Sequence, residues 1–102
     1  LISIHHNNST DTSIDYTTAL YMKTADIELA KEVSKTVSEE LGLTNKGISR
    51  FASGVLLKSY MPATISEGFF LTNSDEYSLI KNEGRLEQEA EALFKAIDNY
   101  LN

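Results

Sequence analysis

Met61-Pro62-Ala63-Thr64-Ile65-Ser66-Glu67-Gly68-Phe69-Phe70-Leu71-Thr72-Asn73 reads as a short buried strand running into a glycine-containing turn, with a helix opening at Asn73. Ala63, Ile65 and the two phenylalanines belong to an interior. Glu67 stands among them, and a carboxylate is costly to bury unless it is paired, coordinated or used. That single acid makes the segment a candidate site as well as a candidate core strand.

Working outward, only Tyr60, Met61 and Pro62 separate this strand from Gly54-Val55-Leu56-Leu57-Lys58-Ser59, which reads as another strand. The gap is too short for a helical crossover, so the two are expected to be antiparallel or offset neighbours and the sheet mixed. Thr44 to Ser53 reads as a polar loop. At the start of the chain, Leu1-Ile2-Ser3-Ile4-His5-His6-Asn7-Asn8 begins apolar and turns abruptly polar, the pattern of a strand covered on both faces. His5 and His6 lie at its carboxyl end, where open α/β sheets collect ligands. Successive side chains alternate in direction, so the two imidazoles are expected on opposite faces. Asn7 to Ser13 is a polar loop, and Tyr16 to Met22 is a β-branched and aromatic run that predicts a second strand.

Thr24 is a plausible helix N-cap, with Asp26 and Glu28 in the first turn. Ile27, Ala30, Val33, Val37 and Leu41 then recur at three- and four-residue steps, and Gly42 is the expected terminator. Downstream, Asn73 and Glu76 have capping-box spacing for a short helix through Ile80. After a break at Asn82-Glu83-Gly84, a last helix places Leu86, Ala90, Leu93, Ile97 and Leu101 on one stripe, expected to cover the sheet. The whole predicts an α/β fold: a mixed, mostly parallel sheet flanked by helices in three layers.

Length and composition narrow the function. A chain of 102 residues makes at most one domain. It begins inside an apolar run without an initiator Met, so a fragment or processed piece is expected, with preceding strands and helices missing. A net charge of −6, with scattered Lys and Arg, argues against a nucleic-acid partner. No apolar run reaches the roughly 18–20 residues of a membrane span. The absence of cysteine excludes disulfides and thiolate metal sites.

His5 and Glu67 each end a predicted strand, about sixty residues apart. A metal hydrolase needs an imidazole to hold the ion and a carboxylate to take a proton from water. Ser3-Ile4-His5-His6-Asn7 resembles the "S-I-H-x-N" strand of the zinc-dependent N-acetylmuramoyl-L-alanine amidases, which are bacterial, spore and phage cell-wall hydrolases. Met61 to Asn73 is similar to that family's "M-P-A-x-x-x-E-x-x-F-L-[ST]-N" segment.

The resemblance implies that residues 1–102 are the C-terminal portion of a single amidase-like catalytic domain, that His5 is a ligand of Zn2+ and that Glu67 is the catalytic carboxylate. Their substrate would be peptidoglycan, cut between N-acetylmuramic acid and L-alanine, in the cell envelope or outside the cell. His6 falls where the family commonly has a small residue and takes no ligand role. Asn7 is expected to bond within its loop, and Asn73 to cap a helix. Phe69 stands where the family usually has Gly, and Lys58 where it often has Arg. The family's other zinc ligands, a His and a Glu, lie before the position of Leu1, and no His follows His6. The chain alone is therefore expected to bind zinc weakly and to be inactive. The alternatives are a non-catalytic wall-binding or regulatory remnant of the same fold, or another zinc-dependent hydrolase.

Overall fold

The computed structural model describes residues 1–102. Strands β1 (Ile2–Asn7), β2 (Thr17–Tyr21), β3 (Asn45–Arg50) and β4 (Thr64–Phe70) form one sheet in the order β1-β4-β2-β3. β1 is parallel to β4 and β2 to β3, while β4 runs antiparallel to β2. Helices α1 (Ile27–Leu41) and α4 (Arg85–Leu101) cover one face around Ala19, Val33, Val37, Phe69, Ala92 and Ala96. The short α2 (Gly54–Lys58) sits on the other face, where Leu56 packs with Ala63 and Ile65. α3 (Ser74–Asn82) joins β4 to α4. This is the three-layer, mixed and mostly parallel α/β arrangement that the sequence predicts.

Several elements differ from expectation. β1, expected to be covered on both faces, is an edge strand with Ile4 and His5 exposed. Asn45–Arg50, read as loop, is strand β3. It lies at the sheet edge, where one flank meets solvent, so Asn45, Lys46, Ser49 and Arg50 stay exposed and carry no apolar signature. Gly47, at φ 80°, sits where the register with β2 shifts. Gly54–Lys58, read as a strand, is the helical turn α2, in which only Leu56 is buried. A short apolar run does not by itself distinguish a buried strand from a buried helical turn. The sheet is mixed because β4 opposes β2, not because of a neighbouring strand at residues 54–59.

α1 is entered through a 3-10 turn, Thr24–Asp26, rather than capped by Thr24, and it ends at Gly42 in the left-handed region at φ 70°. α4 is rotated relative to the expected stripe. Of the five residues named for it, only Leu93 is buried, while Leu86, Ile97 and Leu101 are exposed. The covered face is Arg85, Glu89, Ala92, Leu93 and Ala96. Small Ala92 and Ala96 let α4 approach closely, while Arg85 pairs with the buried Glu76 and Glu89 with the half-buried His6.

Candidate active site

β4 is buried along almost its whole length, and the alternation of its side chains decides what the site contains. Ile65 and Leu20 are in register and pack toward α2, so residues two places on along their strands share that face. The face therefore carries Glu67, its β2 partner Thr18, and its β1 partner His5, which stands directly opposite Glu67 in the parallel ladder. The two candidate residues, far apart in sequence, are brought side by side. His5 is exposed and Glu67 half-buried. The His5 ring is held through Nε2 by the Ser3 hydroxyl at 3.1 Å, one step back on the same face.

His6 points the other way, into the layer beneath α4. Its Nε2 donates to Oε1 of Glu89 at 2.7 Å, and its ring stacks on Phe69 with centroids 4.4 Å apart. The ladder slips here: His5 pairs with Glu67 but Asn7 with Phe70, so Gly68 and Phe69 together oppose His6. A bulge of this kind bends and re-aims a strand, and such features gather beside sites. Asn7 bonds within its loop, its Oδ1 accepting the Asn8 N–H at 3.1 Å. Asn73 caps α3, its side chain accepting from the N–H groups of Asp75 and Glu76 at 3.0 and 3.1 Å. Lys58 is exposed at the end of α2.

Two buried ionic clusters fix the strands that carry the site. Asp26 is fully buried and accepts from the backbone N–H groups of Lys23 and Ala63, both at 2.9 Å, and from that of Met22 at 3.3 Å. It also meets the Lys23 ammonium at 3.1 Å, and that ammonium donates to the Leu56 carbonyl. Burial pushes the Asp26 pKa up, but the backbone donors and Lys23 outweigh it and hold the carboxyl below its usual range. The start of β4, the entry to α1 and the end of α2 are thereby tied at one carboxylate.

The second cluster closes the far end of β4. Arg85 grips Glu76 with two bonds, Nε to Oε2 at 2.8 Å and a terminal guanidinium nitrogen to Oε1 at 2.6 Å. Asp15 hydrogen-bonds to Glu76 and accepts the Phe70 N–H at 3.0 Å. Burial, then the hydrogen bond and charge of Glu76, push the Asp15 pKa up to about 7 against the pull of the Phe70 N–H and Arg85. Glu76 thus turns its side chain to Arg85 rather than completing the expected capping box.

Sequence reading had no signal for Asp15, Arg85 or Glu89, since each is an acid or base whose burial depends on a distant partner. No three His, Cys, Asp or Glu side chains converge to hold a metal ion. No helix is long and apolar enough to cross a membrane.

The profile of the family described as N-acetylmuramoyl-L-alanine amidase matches residues 1–99. An endolysin of Bacillus phage SPP1 is 27% identical over 104 residues, covering 95% of this chain and 38% of the phage protein. The catalytic domain of the amidase CwlV from Bacillus (Paenibacillus) polymyxa var. colistinus superposes with TM-score 0.86 at 28% identity, over 98% of this chain and 56% of that one. The N-acetylmuramoyl-L-alanine amidase of Clostridium difficile 630 gives TM-score 0.86 at 31% identity, with the same coverage of 98% and 56%. The chain thus spans about half or less of the length of these relatives.

Proposed function

This chain belongs to the N-acetylmuramoyl-L-alanine amidase family, and from that premise we propose that it is the C-terminal part of a catalytic domain that hydrolyses the amide between N-acetylmuramic acid and the stem peptide's L-alanine. The observation that carries this reading is the register of His5 against Glu67 on one open face of the sheet.

The residues fit part of a zinc site. His5 is an exposed imidazole that would hold the ion through the nitrogen Ser3 leaves free, an arrangement in which the second partner orients the ring. Catalytic zinc takes three protein ligands and keeps one open position, and no three donors converge in this chain. The remaining ligands would come from outside it. When bound, zinc supplies charge that polarises the scissile carbonyl and makes water acidic near neutral pH.

Glu67 does the proton work. Half-buried beside His5, it takes a proton from the attacking water and returns it to the leaving amine of L-alanine. His5 beside Glu67 is exposed, so this face of the sheet meets solvent. A protein with this reaction would act at the cell wall, where its substrate is.

The test is digestion of purified peptidoglycan by an amidase domain of the relatives' length that carries this segment. Free N-terminal L-alanine is the expected product. New reducing sugar ends would instead mark a glycosidase, and no product would leave a wall-binding remnant. Glu67→Ala is expected to abolish turnover with zinc content unchanged; retained turnover rejects its role.

A further inference from the structure

His6 and Phe69 are in direct contact, and both lie against α4. Glu89 of α4 is 3% exposed. One of its oxygens accepts from His6, and the other, Oε2, is buried with no partner. A Cβ built on Gly68 would lie 2.3 Å from Oε2 and 3.6 Å from Cγ1 of Val37. The carboxylate thus fills the space a side chain at residue 68 would take.

We propose that Glu89 is a positioning residue for the site on the opposite side of the sheet, acting through His6 and through the backbone at Gly68. The proposal rests on the reading of His5 and Glu67 given above. His6 follows His5 and Gly68 follows Glu67, so one carboxyl group bonds the neighbour of the first and packs against the backbone of the neighbour of the second. The grip falls at the bulge, where two β4 residues oppose one of β1 and the ladder alone does not fix the strand's direction. Burying a carboxylate with one oxygen unpaired costs stability, and the return is a set aim for Glu67 beside His5.

Two readouts test this. In the 102-residue chain, NMR contacts between the His5 ring and the Glu67 side chain are expected in wild type and in Glu89→Gln, which keeps the volume and an acceptor for His6. They are expected to vanish in Glu89→Ala and in Gly68→Ala. In the longer amidase domain, Gly68→Ala is expected to lower kcat about a hundredfold, the scale of a 1 Å misplacement, with KM nearly unchanged.

The same Gly68→Ala change is expected to cost much less in a Glu89→Ala background, where its methyl has room. Equal costs in both backgrounds overturn the proposal, as do unchanged His5–Glu67 contacts in a folded Glu89→Ala chain. If Glu89→Ala does not fold, Gly68→Ala in the wild-type background still decides: an unchanged kcat in that folded variant overturns the proposal. Should Glu67→Ala retain activity, the functional reading fails; the NMR contacts report on positioning independently.

Discussion

Asp15 and Asp26 are both acids held by backbone N–H groups, yet their surroundings move them in opposite directions. Asp26 faces backbone donors and an ammonium, so its folded pKa is lowered. Its contribution is present above its unfolded pKa and is lost as pH falls through the folded value. Asp26→Ala leaves three N–H donors around a buried gap and is expected to cost at least about 3 kcal/mol in urea unfolding. Asp15 faces another acid, and its pKa is raised to about 7. The folded state then holds a proton that the unfolded state gives up near pH 4, so stability falls as pH rises from about 4 to about 7 and levels off above. Asn imitates the protonated acid, accepting from Phe70 and donating to Glu76. Asp15→Asn is therefore expected to match wild type near pH 4 and to exceed it by a margin that grows up to about pH 7 in thermal unfolding. Parallel pH profiles for the two proteins contradict the shared proton.

At the scale of elements, periodicity revealed what faces an apolar layer and missed what does not. β1, β2, β4, the α1 stripe, the Gly42 stop and the Asn73 cap were legible because each depends on neighbours in sequence. β3 was not, because an edge strand tolerates polar residues on its open flank, and the α2 turn was too short to show a period. The rotation of α4 was hidden for a different reason. Arg85 and Glu89 look like a solvated face until Glu76 and His6 are known to lie across from them. The Glu76–Arg85 pair, with side chains 1% and 5% exposed, joins α3 to α4. Arg85→Ala strands a buried carboxylate next to Asp15 and is expected to cost about 3–5 kcal/mol, whereas replacing both partners with apolar residues of similar volume costs less than Arg85→Ala alone. Chemical denaturation of the two variants checks this. A double replacement worse than Arg85→Ala would mean that the pair contributes net stability.

For the whole molecule, the question is how much of a metal centre four strands can assemble. The sequence nominated one imidazole, His5, and one carboxylate, Glu67, and the sheet brings them into register. It did not show that β1 would be an edge strand, so that His5 is flanked by β4 alone. The third residue in that row is Thr18, whose hydroxyl is already committed to the Gly47 carbonyl at 2.9 Å. No further imidazole exists, since His6 is turned through the sheet to Glu89. The other acids with structural roles, Asp15, Asp26 and Glu76, are spent on backbone amides, Lys23 and Arg85. A site with one imidazole and one carboxylate lacks the donor set of catalytic zinc. Calorimetric titration of the 102-residue chain with zinc is therefore expected to give a Kd weaker than about 1 μM, less than about 8 kcal/mol of binding. His5→Ala is expected to weaken even that residual binding. Tight one-to-one binding would show that donors now engaged elsewhere, Glu89 through His6 foremost, can be released to a metal, and the division of labour between the two faces of the sheet would have to be redrawn.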